Sequence, residues 1–244
     1  MKGFEILTLK LKNITPTIIG GYKATTFSPS LNIAERFRVP ELKGIWRWWF
    51  RALVAGALWD ARGDVNEDEV REKVRVVLGS TNAPSKFVLQ AYPRKEGGCK
   101  LLEEKAAIPP RLKLLMLSKE KPREVYYYEA GDLEYELKLL RQPRMDLKKD
   151  ELMAGVGSLL MALIFQGVGA ITRRGFGAWG IQLNEESIGE GYREELREYI
   201  DIIKELNKVE EEEDAEKLIK RFIQLVNGCF SDLTKVRRED KKTN

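Results

Sequence analysis

The chain has 244 residues, of which 43% are hydrophobic and 33% are charged, and it contains no histidine. This balance excludes a disordered or disulfide-stapled chain. The missing imidazole excludes a Ser-His-Asp triad, a Cys-His pair and a His-ligated zinc site. The two cysteines, Cys99 and Cys229, form no C-x-x-C motif. We therefore expect no metal site, and two idle thiols in a reducing cytoplasm.

The net charge of +4 is unevenly distributed along the chain. Residues 1–58 contain nine Lys/Arg and three Asp/Glu, whereas residues 185–216 contain four and fourteen. The first segment is therefore expected to face a polyanion, and the acidic segment to repel one. Because the start of the chain lacks an apolar h-region, we expect no signal peptide and a cytoplasmic location.

Alternation of apolar and polar residues predicts strands at 4–12 and 133–139. Shorter runs predict strands at 86–91, 125–128 and 179–183.

Helical spacing predicts a helix over 41–59 and a second over 66–78, with Asn66 as its N-cap. A third helix is expected to start at a cap, Asp146, and to end near residue 165. The residues of the first helix that are expected to pack against the sheet are Ile45, Trp48, Trp49, Ala52 and Gly56.

This order of elements predicts an α+β fold of the ferredoxin-like (RRM-like) βαββαβ type, duplicated or elaborated. We place this core at 1–184, with an insertion around 93–131, and an acidic helical extension at 185–244. The uncharged stretch 152–172 is long enough to cross a bilayer, but its glycines favour a buried helix followed by a loop. We expect no membrane contact.

Cations recur every four residues on the first helix, which places Lys43, Arg47 and Arg51 on one stripe, beside Trp46. The helix N-terminus adds N–H donors, a combination that suits phosphates and stacked bases. The candidate nucleic-acid-binding residues here are Lys43, Arg47, Arg51, Trp46, Arg36 and Arg38. The ordinary alternative is a solvated charged face whose aromatic residues pack elsewhere.

A glycine-rich loop from Gly167 to Gly180 follows the third helix, and no acidic residue lies between 155 and 184. It lacks the G-K-[ST] of a P-loop and the third glycine of a dinucleotide fingerprint. Successive N–H groups in such a loop can form an anion nest. The candidates here are Arg173, Arg174, Gly175, Phe176 and Gly177. The alternative is a tight helix-to-strand connection with Phe176 in the core.

A further candidate is the loop after the first strand, with Gly20, Gly21 and Tyr22. Its ordinary interpretation is a plain surface loop.

Two of these segments resemble the RAMP proteins, the ferredoxin-like subunits of CRISPR effector complexes. The likeness rests on Lys43-Gly44-x-x-Arg47-x-x-x-Arg51 and Arg174-Gly175-Phe176-Gly177, and it covers residues 1–60 and 145–184. The tryptophan-rich helix is most similar to that of the first RAMP subunit of the type III-B, or Cmr, complex. The resemblance implies a subunit that binds guide RNA and captures target RNA beside other Cmr subunits in antiviral defence. The RNA-cleaving subunit of such complexes uses a loop aspartate, and because we find no counterpart of it, we expect a non-catalytic chain without a cofactor.

Two other functions stay open. Some RAMP endonucleases cut CRISPR repeat RNA without a metal, using lysine and tyrosine, and Lys23 and Tyr22 would then be the candidates. The other alternative is a protein-docking scaffold, in which the acidic helices of 189–230 bind a basic partner.

Overall fold

A computed structural model describes residues 4–20, 27–28, 32–102, 125–170, 172 and 175–234. Its strands are β1 Glu5–Asn13, β2 Phe27–Ser28, β3 Ile33–Ala34, β4 Phe87–Glu96, β5 Lys100–Leu101, β6 Tyr126–Tyr127, β7 Leu133–Arg141 and β8 Trp179–Gln182. Its helices are α1 Val39–Arg62, α2 Glu67–Leu78, α3 Lys149–Met161, α4 Arg193–Leu206 and α5 Glu212–Thr234. A π-helical turn, Ala162–Gln166, extends α3.

The central sheet has the strand order β4-β7-β1-β8, and all neighbouring strands are antiparallel. The helices α1 and α2 connect β1 to β4, and α3 connects β7 to β8. The first and third strands of the βαββαβ unit therefore lie in the middle, and the second and fourth lie at the edges. This arrangement confirms the predicted ferredoxin-like fold.

Side chains alternate between the two faces of this sheet, as the sequence predicts. Leu7, Leu9 and Leu11 of β1 are buried, as are Leu137 and Leu139 of β7. Each such leucine stabilises the fold by roughly 1.5–3 kcal/mol. The helices pack on this leucine-rich face, and the opposite face is lined by charged residues.

The inward face of α1 differs from the predicted one. Trp48, Ala52 and Gly56 are exposed, so the expectation that these three residues pack against the sheet is wrong, whereas Ile45 and Trp49 are half-buried and pack against the core. The buried residues of α1 are Leu42, Trp46, Phe50, Val54, Ala57 and Leu58. Both faces of this helix carry large apolar residues at helical spacing, and the neighbouring α3 and α5 cover the face of Trp46.

The helix α3 is almost completely buried and begins later than predicted. Asp146 does not cap it, because the first helical residue is Lys149 and the Glu151 carboxylate accepts the N–H of Lys148 at 2.9 Å. Glycine is required at Gly157, because a Cβ there would lie 2.3 Å from the Tyr199 hydroxyl. In the part of the chain that the structure describes, no helix is long and apolar enough to cross a membrane.

The predicted C-terminal helices are present as α4 and α5. Their apolar sides, which include Ile200 and Phe222, join the same core as the sheet, and Phe230 packs edge-on against Phe50 at 4.9 Å between ring centroids. Their acidic residues remain on the outer surface. The two helices therefore form a second layer over α1 and α3.

Candidate nucleic-acid interface

Three segments that are distant in sequence meet at the start of α1. The N–H of Ala170, in the glycine-rich loop, donates to the Ile18 carbonyl in the loop after β1 at 2.7 Å. The guanidinium of Arg38, just before α1, donates to the Gly20 carbonyl at 2.6 Å. The fold thus brings together parts of all three candidate regions. The predicted residues Gly21, Tyr22, Arg173 and Arg174, and Lys23, lie outside the described residues.

The amino-terminal end of α1 is occupied by a carboxylate. Glu41 Oε1 accepts the N–H of Gly169 at 3.2 Å, and burial raises the pKa of Glu41, although Arg38 and the Gly169 N–H act against this. Glu41 is not among the predicted site residues; its position directly after Pro40 in the first turn is the signal that could have identified it.

Two backbone donors at this helix end are not free for phosphate. The N–H groups of Glu41 and Leu42 both donate to the Arg38 carbonyl, at 3.1 and 3.3 Å, and Pro40 has no N–H. For these three residues the prediction that the N-terminus supplies unpaired donors to a phosphate is therefore wrong.

The glycine-rich loop also uses its own donors. The N–H of Gly167 donates to the Ala162 carbonyl, and that of Val168 to the Gly177 carbonyl. The N–H of Ala170 donates to the Ile18 carbonyl, and that of Gly177 to the Pro16 carbonyl. An anion nest needs N–H groups that point at the ligand. For these four amides the predicted nest is therefore wrong.

Close backbone packing explains two of the loop glycines. Gly167 has a φ of 70°, and a Cβ there would lie 2.1 Å from the Gly177 carbonyl oxygen. Gly177 has a φ of 66°, and a Cβ there would lie 2.6 Å from the Val168 carbonyl oxygen. Gly177 is buried, so its role in this geometry is to close the loop. By contrast, Gly175 is exposed, with φ 86° and no atom near an added Cβ. Phe176 is half-buried.

The predicted cationic stripe of α1 divides into buried and exposed members. Trp46 is only 2% exposed, and its indole N–H donates to the Gly155 carbonyl and the Ser158 hydroxyl, at 3.0 and 2.9 Å. It cannot stack on a base, and the expectation that it faces RNA is wrong. Lys43 and Arg51 are exposed, and neither forms a hydrogen bond or ion pair with any described residue.

Arg47, which lies between these two cations, caps a neighbouring helix. Its guanidinium donates to the Leu78 and Gly79 carbonyls at 2.7 and 2.8 Å, where α2 ends. The last carbonyls of a helix have no partner within that helix. Arg47 therefore has a structural role at the end of α2, which uses two of its five guanidinium N–H groups, and its phosphate contact stays a prediction.

We expect Arg47→Ala to lower the free energy of unfolding by about 1–3 kcal/mol, because two carbonyls at the end of α2 lose their charged donors. Arg51→Ala, on the same helix but exposed, should change it by less than about 0.5 kcal/mol. Urea denaturation followed by circular dichroism measures both. Equal effects of the two changes would contradict the capping role of Arg47.

The other cations before α1 have partial partners. Arg36 lies 3.3 Å from the Glu96 carboxylate, but its side chain is 70% exposed. Arg38 is also exposed while it holds the Gly20 carbonyl. With Lys43, these two residues form a cationic rim around the junction of the three segments.

The open face of the sheet is the competing surface, because RRM domains bind RNA there. In this protein two of its cations are neutralised, because Lys12 pairs with Glu134 at 3.3 Å and Arg94 forms an ion pair with Glu136, whereas Lys10 is exposed. The hydrogen bond from Arg94 lowers the pKa of Glu136, which keeps this carboxylate charged at neutral pH. The alternating acids of β7 make this face a poor surface for a polyanion.

Comparison with known proteins identifies the fold and the family. A model of the RAMP superfamily matches residues 10–179. A comparison with curated proteins finds no match.

Three solved structures share the fold. A chain of the type III-B Cmr-beta complex bound to cognate target RNA and AMPPnP, in the presence of ssDNA, has a TM-score of 0.68 and 16% identity, covering 96% of this chain and 66% of that chain. A chain of Cmr-beta bound to cognate target RNA has a TM-score of 0.61 and 17% identity, and the match covers 93% of this chain and 63% of that chain. Cmr1 from Pyrococcus furiosus, in its apo form, has a TM-score of 0.58 and 20% identity, and the match covers 92% of this chain and 60% of that chain. The chain thus spans 60–66% of the length of these structures.

Proposed function

The chain belongs to the RAMP superfamily, and from this premise we propose that it is a non-catalytic, RNA-binding subunit of a cytoplasmic type III-B CRISPR effector complex. The observation that carries the proposal is the cationic rim of Arg36, Arg38 and Lys43 around the junction of three loop segments. The rim offers three exposed cationic side chains, of which Arg36 is paired with Glu96 and Arg38 donates to the Gly20 carbonyl. Such groups bind the ribose-phosphate backbone without reading its sequence.

The partners follow from the same reasoning. Two structures that share the fold are Cmr-beta complexes bound to cognate target RNA. By analogy, we propose guide RNA and target RNA as the polyanions, and other Cmr subunits as the protein partners. Arg173 and Arg174 of the glycine-rich loop stay predicted RNA contacts.

The chemistry of the chain supports a binding role over a nuclease role. With no histidine, the protein has no imidazole to act as general base. Burial raises the pKa of Tyr128 to about 12, and it also raises that of Tyr135, so both phenols stay protonated at neutral pH. The metal-independent endonuclease depends on Lys23 and Tyr22, and incubation of the protein with repeat RNA in EDTA tests it: a defined cleavage product would establish an enzyme.

We expect the double change Arg36→Glu/Lys43→Glu to weaken the binding of single-stranded RNA by roughly tenfold to a hundredfold at physiological salt, since two phosphate contacts become repulsive. The slope of log K against log salt should fall by about 1.4, or 0.7 for each lost contact. Fluorescence anisotropy with labelled RNA of several sequences measures both, and the loss should be similar for all of them.

A matched double change on the open sheet face serves as the control. Lys10→Glu/Lys12→Glu also reverses two exposed cations. Lys12 pairs with Glu134, as Arg36 pairs with Glu96, and Lys10 corresponds to Lys43, since neither forms an ion pair with a described residue. Both doubles alter the net charge equally. Equal losses of RNA affinity would show that only net charge matters, and a larger loss for the sheet-face double would place the RNA on the sheet.

A further inference from the structure

The outward side of α1 carries an apolar stripe, which we call the tryptophan stripe: the exposed residues Trp48, Ala52, Gly56 and Trp59, and the half-buried Ala55 between them. The two indoles are 56% and 60% exposed, and only small residues lie between them. A contiguous apolar surface with two open tryptophans is uncommon on a monomer and marks an interaction site. Tryptophan is also the residue type most enriched at the energetic centres of protein interfaces.

Neighbouring aromatic rings hold one side of the stripe rigid. The rings of Trp48 and Trp49 meet edge to face at 5.4 Å, and Trp49 lies 6.0 Å from Phe165, which is 41% exposed. The indole N–H of Trp49 donates to the Gln166 side-chain oxygen at 3.0 Å. The π-helical turn after α3 presents Phe165 and Gln166 at this place. The surface is therefore formed before any partner arrives.

The spacing of the stripe matches another helix. Trp48 and Trp59 are eleven residues apart, which corresponds to about 16 Å along α1, or three turns. The small side chains of Ala52 and Gly56 between them allow a second backbone to approach to about 8 Å. Large aliphatic side chains of that helix would fill the space between the two indoles.

One edge of the stripe is positively charged. Arg51 lies beside Trp48 on α1, is exposed, and forms no hydrogen bond or ion pair with any residue that the structure describes. It lies about 12 Å along the helix from Lys43. A guanidinium in this position suits a carboxylate that approaches with the apolar partner, because the pair becomes partly desolvated.

We propose that the tryptophan stripe is the docking surface for an amphipathic helix of a different subunit, with bulky aliphatic residues on one face and an Asp or Glu that pairs with Arg51. The inference rests on the proposed function, which places the chain in a multi-subunit complex. A second copy of the chain is the weaker fit, because the apolar faces of its α4 and α5 are already buried and its own stripe has only small residues between the two indoles, not bulky aliphatic ones.

RNA is the other class of ligand with which aromatic residues and arginine interact. The stripe itself does not favour it. Its centre, Ala52, Ala55 and Gly56, has neither side-chain donors nor cations for a backbone, and Asp60 beside Trp59 would repel phosphate. The stripe therefore assigns Arg51 to a protein contact, whereas the rim at Lys43 remains the RNA contact.

Site-specific photo-crosslinking tests this assignment in the assembled complex. A benzoylphenylalanine is placed at Ala52 of the full chain, at the centre of the stripe, and at Glu194 on the exposed side of α4 as the control. The tagged complex is irradiated after purification from native cells, and crosslinked peptides are identified by mass spectrometry. We expect position 52, and not position 194, to capture an amphipathic segment of another subunit that contains Asp or Glu.

Each other result overturns the proposal in a distinguishable way. A crosslink from position 52 to RNA, to a second copy, or to nothing within an assembled complex contradicts the docking surface alone. A chain that purifies without RNA and without other subunits contradicts the proposed function as well.

Variants give a second measurement that does not depend on the crosslinker. Trp48→Ser/Trp59→Ser should reduce incorporation of the chain into the complex by roughly thirtyfold or more, the size of an interface hot spot. Its unfolding midpoint should stay close to that of the parent, because both rings are exposed. Tyr92→Ser, at an exposed aromatic residue of the sheet, is the matched control. Normal incorporation of the tryptophan variant would overturn the assignment.

Discussion

Replacing Glu151 by alanine is expected to lower the free energy of unfolding by about 3–5 kcal/mol, because it leaves a buried lysine without its counter-charge. Lys86 Nζ lies 2.7 and 2.6 Å from the two oxygens of Glu151, and the side chains are only 10% and 7% exposed. An unpaired ammonium in this place has to be charged in a poorly solvated site or lose its proton, and both cost free energy.

Loss of the Lys86–Glu151 pair is expected to destabilise several elements, because both residues also form hydrogen bonds to neighbouring elements. The backbone N–H of Lys86 donates to the Val77 carbonyl in α2, and its carbonyl accepts the N–H of Gln142 after β7. Glu151 also accepts the N–H of Lys148 at the start of α3. The pair therefore joins the ends of α2, β4 and β7 to the beginning of the buried helix.

Calorimetry and urea denaturation measure the effect, which corresponds to a fall of about 6–20 °C in the unfolding midpoint for a chain of this size. Glu67→Ala, which removes an exposed ion pair with Arg71, should leave the midpoint nearly unchanged. The double change Lys86→Met/Glu151→Leu should recover most of the loss, because it removes both charges and keeps the volume. A single change at Glu151 as mild as that at Glu67 would contradict the buried ion pair.

The second large effect is expected at Trp46, where alanine should cost about 3–5 kcal/mol of stability. The indole is buried between α1 and α3, its ring meets Phe87 at 5.6 Å between centroids, and its N–H has two acceptors on α3. The truncation removes this packing and leaves a cavity at the point where the helices contact the sheet.

Trp46→Phe separates the hydrogen bonds from the packing. It keeps an aromatic ring but loses the donor, so we expect a smaller cost of about 1–2 kcal/mol. Trp48→Ala, two residues away and exposed, is the matched control and should leave the unfolding midpoint nearly unchanged. RNA affinity, measured per folded molecule, should be the same for Trp46→Phe and the parent. A loss of affinity without a loss of stability would make Trp46 an RNA contact after all.

The strands could be predicted because their signal is local. Strict alternation through Leu7 to Leu11 and Leu133 to Leu139 places the leucines of each strand on one face, and in the structure this face is buried, with Leu7 opposite Leu139. The inward face of α1 could not be chosen in this way, because Trp46 and Trp48 stand on two competing apolar faces. Only the packing of α3 and α5 decides between them.

The candidate site shows the same division. The sequence pattern indicates the cations and glycines, but not the atoms that already engage them. Arg47 looks like its neighbours Lys43 and Arg51, yet its partners are two carbonyls more than thirty residues away. Four amides of the glycine-rich loop are unavailable to a nest for a similar reason, since two donate to carbonyls of the loop after β1 and two to the carbonyls of Ala162 and Gly177. A hydrogen bond to a backbone carbonyl far away in the sequence produces no pattern in the local spacing of residues, so the sequence does not predict it.

Ultraviolet crosslinking of bound RNA in the purified complex tests the central claim most directly, because it locates the RNA on the chain. The account predicts that RNA-linked peptides contain residues 36–43 and 172–177, at the junction of α1, the loop after β1 and the glycine-rich loop. Peptides that instead carry Lys10, Lys12 or Arg94, on the open face of the sheet, would contradict it.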